Sequence, residues 1–131
     1  MILIDTTVWI DFFAGRNLPH VTQLVKILEK RDELCTCGII LTEILQGIKT
    51  KKEKQLVEDN LNHIVFLDMT RPTFILAADI FSHLRSRGIT IRKTLDCMIA
   101  AIVIENNTAL LHNDRDFDPI EKYYGLPVLQ K

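Results

Sequence analysis

Five acidic residues stand out by where they fall. Asp5 closes the apolar run Ile2-Leu3-Ile4, Glu43 lies within GIILTEILQGI, Asp96 opens the apolar stretch LDCMIAAIVIE, and Asp114 and Asp116 follow ALLH. Ordinary explanations exist for most of them. Asp5 or Asp96 could cap a helix by accepting from its first backbone N–H groups, and Asp114 and Asp116 around Arg115 could form a polar turn. Glu43 is harder to explain in this way, because Ile39, Ile40, Leu41, Ile44 and Leu45 make its surroundings look buried nearly all round. An unpaired carboxylate there costs several kcal/mol.

The acids matter most in combination. Neither Asp5 nor Glu43 has a Lys or Arg nearby in sequence, so a cluster containing them needs a cation from elsewhere. Two carboxylates about 4 Å apart repel by roughly 4 kcal/mol at an effective dielectric of about 20, and four gathered without a counter-ion would open the fold or take up protons. Hard oxygen donors with no sulfur and no obligatory imidazole suit Mg²⁺ or Mn²⁺. Such a site is suited to in-line hydrolysis of a phosphodiester, where the ion polarises the phosphoryl oxygen and activates water. No Ser-His-Asp or Cys-His arrangement competes. His20, His63, His83 and His112 are scattered, and only His112, two residues before Asp114, falls near the acids. It is either a group supporting the site or substrate, or a strand-end histidine.

These acids require elements that bring them together. Strands are expected at 2–5, 34–36, 63–67, 109–112 and 127–129, and helices after Thr6-Thr7 and over 20–31, 38–48, 50–61, 72–86, 95–105 and 119–124. The helix at 20–31 carries Val21, Leu24, Val25, Ile27 and Leu28 at helical spacing. Ile40, Ile44 and Ile48 form one stripe of the next. Phe74, Ala77, Ala78, Phe81 and Leu84 form the stripe of the helix that Arg87-Gly88 stops. The nearly unbroken apolar 95–105 marks a central helix packed on more than one side. Alternating strands and helices imply a three-layer α/β/α sandwich around a mainly parallel sheet, in one domain covering 1–131. Loops at the carboxyl ends of its strands share one edge, where ligands bind.

Composition agrees with this frame. The chain has 131 residues, 47% hydrophobic and 25% charged, the mixture of a single globular domain. No apolar run nears the roughly 18 residues of a membrane span, and MILIDTTVWIDFF has neither a basic leader nor a cleavage site. A cytosolic address is expected, and reduced thiols fit it. Cys35 and Cys37 are too close along a strand to pair, and no second pair stands at zinc-ligand spacing, so the cysteines read as structural. With 16 Lys and Arg against 17 Asp and Glu, net charge argues for no particular partner. If the acids are sequestered, however, the remaining surface is basic. One run contains Lys49, Lys51, Lys52 and Lys54, and another contains Arg85, Arg87, Arg92 and Lys93. The second is the candidate nucleic-acid-binding run, although both could be solvated helix ends.

IDTTVWIDFF, ILTEILQG, TLDCMIAAIVIENN and LLHNDRDFDPI, in this order and over nearly the whole chain, resemble a PIN domain, and more narrowly the toxin nuclease of a VapBC toxin–antitoxin pair. The resemblance implies an endoribonuclease dependent on Mg²⁺ or Mn²⁺ and acting on structured RNA such as transfer or ribosomal RNA. It also implies a homodimer held inactive by a VapB antitoxin. Asp5, Asp96 and Asp114 would hold the metal, with Glu43 and Asp116 completing the catalytic set and Thr7 orienting Asp5 or a bound water. Asp114 and Asp116 both fit the family's D-x-D-F pattern, and Asp114 is preferred as the direct ligand. His112 departs from the family, where Ser or Thr is commoner.

Two other readings use the same residues. A phosphatase or phosphotransfer domain could use Asp5 as nucleophile, but such designs want a second acid two residues on, and Thr7 stands there. A non-catalytic RNA-binding or scaffold domain would keep the fold and dispense with the metal.

Overall fold

The computed structural model describes residues 1–129. Among them four short strands, β1 (Ile2–Ile4), β2 (Leu34–Cys37), β3 (Val65–Leu67) and β4 (Ala109–Leu111), form one parallel sheet in the order β3-β2-β1-β4. The helices are α1 (Thr6–Phe13), α2 (Pro19–Lys30), α3 (Gly38–Gln46), α4 (Lys51–Leu61), α5 (Arg71–Ser86), α6 (Thr94–Glu105) and α7 (Asp118–Tyr124), with a 3-10 turn at Arg115–Phe117. The expected α/β/α arrangement is the one observed.

The strand order contains one reversal. From β1 the chain steps outward through β2 to β3, then crosses back so that β4 lands on the other side of β1, with Leu3 paired to both Cys35 and Leu110. In sheets of this kind the point where the strand order reverses, here between β1 and β4, is where a ligand site forms at the carboxyl edge. Asp5 leaves β1 there, and His112 to Asp114 leave β4 beside it.

Burial explains the individual elements. β1 is an inner strand and β4, at the sheet's edge, is flanked only by the bridge at Val128, yet Leu3, Ile4, Leu110 and Leu111 are all fully buried. Helix α6 is enclosed on several sides, as its sequence predicts, since Cys97, Ile99, Ala100, Ala101, Ile102 and Val103 are all buried. Pro19 starts α2 at a position where a missing N–H costs nothing, and Gly88 at φ +79° accommodates the left-handed residue just after α5. Burial pushes the Cys35 and Cys97 thiols up to about 11 and raises that of Cys37. All three are unpaired, neutral core residues.

Several expectations need correction. The strand expected at 127–129 is reduced to a single parallel bridge between Leu110 and Val128, because only Leu110 exchanges backbone hydrogen bonds with Pro127 and Leu129. The α5 stripe is also turned. Thr73, Ala77, Ile80 and Leu84 face inward, whereas Ala78 is exposed and Phe74 is 46% exposed. Of the expected stripe, Ala77 and Leu84 remain buried and Phe81 packs against the core, so the inward face is rotated toward Thr73 and Ile80. On α2, Val25 and Leu28 likewise face out. The surroundings of Glu43 are less enclosed than expected: Ile40 and Ile44 are buried, Glu43 itself is half-buried, and Thr42 and Gln46 are exposed.

Candidate metal centre

Asp5 is the residue just before α1 and caps it. Its Oδ2 accepts from the Thr7 backbone N–H at 3.2 Å and from the Thr7 hydroxyl at 2.6 Å. The Thr7 hydroxyl oxygen in turn accepts the Asn113 backbone N–H at 3.0 Å, so one side chain fixes the carboxylate and reaches the loop after β4. Thr6 does the same for another acid, donating to Glu43 Oε1 at 2.9 Å. Two adjacent threonines thus hold two different carboxylates.

Asp114 caps the 3-10 turn through Oδ1, which accepts the Asp116 N–H at 2.9 Å. Its own N–H donates to His112 Nδ1 at 3.0 Å, and the buried His112 ring packs on Phe117 with centroids 4.8 Å apart. His112 therefore shapes the loop that carries Asp114. Asp96 does not take the capping position; Lys93 does, without a side-chain bond, and Asp96 stands in the first turn of α6. There the partial positive charge of the helix N-terminus favours an anion. Asp96 is 5% exposed, and its Oδ2 has no hydrogen-bond partner among the described residues.

Carboxylate oxygens of Asp96, Asp114 and Asp116 lie within 4.8 Å of one another. Asp5 and Glu43 stand outside this trio, although Asp5 interacts electrostatically with Glu43, Asp96 and Asp114. All five acids singled out in the sequence reach the same edge, but the tightest three include Asp116 rather than Asp5.

The electrostatics divide the acids. Burial drives the Asp96 carboxyl up to about 7, opposed by Lys93 and assisted by Asp114, Asp5 and Asp116. Burial likewise raises Asp5, against the two Thr7 hydrogen bonds. For Asp114 burial acts upward too but is outweighed by the Asp116 N–H, Lys93 and Arg92, leaving it below its ordinary value. The cluster is thus not devoid of cations. Lys93 Nζ lies 3.3 Å from Asp114 Oδ2, and Arg92 Nε donates to Asp116 Oδ2 at 3.1 Å. Neither was visible as a counter-ion in the sequence, because the pairing crosses some 20 residues of chain. The basic run is split as well: Arg85 and Arg87 lie over the rings of Phe81 and Tyr123 rather than at the acids.

An enclosed oxygen without a donor, three carboxylates within reach of one ion and no sulfur or imidazole in the trio fit a hard divalent cation.

The PIN domain family model matches residues 2–123. The chain is 31% identical to ribonuclease VapC11 of Mycobacterium tuberculosis over 128 residues, 96% of each chain. It belongs to the PIN-domain family, among the VapC ribonucleases. Solved structures share this fold: VapBC2 from Rickettsia felis bound to a promoter DNA fragment has a TM-score of 0.76 at 20% identity, covering 98% of both chains. VapBC-1 from nontypeable Haemophilus influenzae has a TM-score of 0.75 at 21% identity, covering 99% of this chain and 98% of that one. Within this PIN domain, sequence reasoning missed Thr6. Its one available signal was a second hydroxyl directly after the strand-end acid.

Proposed function

We propose that this PIN domain is the endoribonuclease toxin of a VapBC-type toxin–antitoxin pair, working through Mg²⁺ or Mn²⁺ at the carboxyl edge of the sheet. The observation that carries the metal reading is the buried, donorless Oδ2 of Asp96 facing a cluster of carboxylates. Asp5, Asp96 and Asp114 are assigned to the ion, Asp116 beside them directly or through water, and Glu43 to the far side of the same pocket. A bound divalent ion supplies the charge that neutralises these acids and the Lewis acidity that a phosphodiester hydrolysis needs.

The chain's own residues do the positioning. Thr7 fixes the rotamer of Asp5, Thr6 that of Glu43, and His112 the backbone of Asp114. Arg92 and Lys93 at the mouth are assigned to the RNA backbone, with Arg85 and Arg87 further out on the same run. Phosphate contacts of this kind position a nucleic acid without reading its sequence. Transfer or ribosomal RNA is the proposed substrate.

Three assembly features complete the reading. Phe74 (46% exposed) and Leu95 (39%) line a cleft of about 430 Å³ that reaches Glu43, and this apolar face supports a homodimer. A VapB-type antitoxin is the proposed inhibitor. Among the described residues no helix is long and apolar enough to cross a membrane, which supports the cytoplasmic location proposed.

The test is to incubate the purified protein with total cellular RNA and Mg²⁺ or Mn²⁺ and to map the 5′ ends, with Asp96→Asn as control. Discrete cuts with 5′-phosphates, absent in the variant and with EDTA, are expected. Absence of metal-dependent cleavage, together with no thermal shift on adding Mn²⁺, would favour the scaffold reading.

A further inference from the structure

Two exposed cations are seated on two of the three carboxylates that could share an ion. Asp114 Oδ1 is engaged by the Asp116 N–H, and its other oxygen, Oδ2, is the one Lys93 reaches. Asp116 Oδ2 is held by Arg92. The acids are enclosed and fixed, with side chains 9% and 16% exposed, whereas the Lys93 and Arg92 side chains are 51% and 74% exposed. Both side chains are more than half exposed, and each reaches its carboxylate only with its charged end. Ion pairs whose cationic partner is this exposed are weak and are readily exchanged.

We propose that Lys93 and Arg92 are displaceable counter-cations: they occupy Asp114 and Asp116 before the divalent ion arrives, and its binding releases them to grip a backbone phosphate of the RNA. The proposal rests on the metal-nuclease reading above and adds a direction to it. An ion entering the trio competes with Lys93 for Asp114 and with Arg92 for Asp116. Released from the carboxylates, both side chains stand at the mouth of the pocket, where an arriving phosphate is the nearest anion. The same residues therefore oppose metal binding and favour RNA binding, so their removal should act on the two with opposite sign. A purely structural role for Lys93 would weaken both.

The experiment uses the full chain in three forms, wild type, Lys93→Met and Lys93→Arg, and titrates each with Mn²⁺ by calorimetry. Lys93→Met should bind Mn²⁺ about tenfold more tightly than wild type, the scale expected on removing one nearby, partly screened charge. Lys93→Arg, which keeps the charge, should bind like wild type. In saturating Mn²⁺, a labelled phosphorothioate oligoribonucleotide, chosen to resist cleavage, should bind Lys93→Met about tenfold more weakly. The slope of log affinity against log salt should be shallower by about 0.7. Equal or weaker Mn²⁺ affinity in Lys93→Met overturns the competition, and unchanged RNA affinity overturns the phosphate role. If wild type binds no Mn²⁺ at all, the metal reading fails and the proposal with it.

Discussion

The hydroxyl of Thr6 donates to Glu43 Oε1 at 2.9 Å and ties the first turn of α1 to the middle of α3 across 37 residues. Thr6 is itself buried, and this bond fixes the rotamer of a half-buried carboxylate at the site. Thr6→Val keeps the shape and deletes the donor. Cleavage should fall about tenfold while stability changes by about 1 kcal/mol or less, because Glu43 can recover its hydration. Thr6→Ser should restore the rate. Single-turnover cleavage and thermal melts of the three proteins separate this from a folding defect.

Asp114 and Asp116 can be ordered by the same approach. Asp114 has the lowered carboxyl, the N–H of Asp116 and the contact with Lys93, whereas Asp116 is the more exposed and pairs with Arg92. Asp114→Asn should abolish metal-dependent cleavage, and Asp116→Asn should leave a measurable residual rate at equal folded stability. The reverse order would make Asp116 the direct ligand, consistent with its place in the tight trio.

Asp96 sets a pH dependence whose sign follows from its raised value. Its ordinary value is 3.8 and the folded one about 7, so below about pH 4 it is protonated in both states and carries no penalty. Between about pH 4 and 7 the unfolded chain loses the proton while the folded chain keeps it, so the metal-free protein loses stability as pH rises. Melting temperatures in EDTA across that range should therefore fall in wild type relative to Asp96→Asn, which ends more stable and inactive. Mn²⁺ should reverse the loss above pH 7, by about 2.7 kcal/mol at a hundred times its dissociation constant, with a smaller effect at pH 5.5. Parallel pH curves for the two proteins would remove Asp96 as the responsible group.

Asp11, which is not one of the clustered acids, should behave oppositely. It bonds His20 Nε2 at 2.6 Å and pairs with Arg16, joining the end of α1 to the start of α2. The His20 hydrogen bond chiefly, then Arg16, hold its carboxyl below the usual range against the effect of burial. Its stabilisation is present above the ordinary carboxylate value and is lost as pH falls through the folded one. Asp11→Ala should cost about 2 kcal/mol, measured by urea unfolding at pH 7, and should leave the Mn²⁺ dissociation constant unchanged.

The layers and the acids were legible in the sequence because both are written in short-range pattern. A strand-end acid such as Asp5, or an all-apolar helix such as 95–105, is visible within a dozen residues. What the sequence left hidden depends on distant chain segments meeting. The Thr6–Glu43 bond, the Lys93–Asp114 pair and the span from Thr7 to Asn113 have no local signature. Phe74 misled for a related reason: periodicity marks which residues share a helix face, whereas the neighbouring elements decide which face turns inward. Glu43 reaches the edge where Asp5 stands, and its surroundings are more open than Ile39 to Leu45 suggested.

The crossing-back of the chain to place β4 against β1 also bears on how the protein is made. A ribosome that has delivered residues 1–105 has made Asp5, Glu43 and Asp96, but β1 still lacks its β4 neighbour, and Thr7 still lacks Asn113. Pairings of such long sequence separation form late. On the nuclease reading, an unfinished copy emerging beside ribosomal and transfer RNA still lacks Asp114 and Asp116, two of the three acids close enough to share an ion.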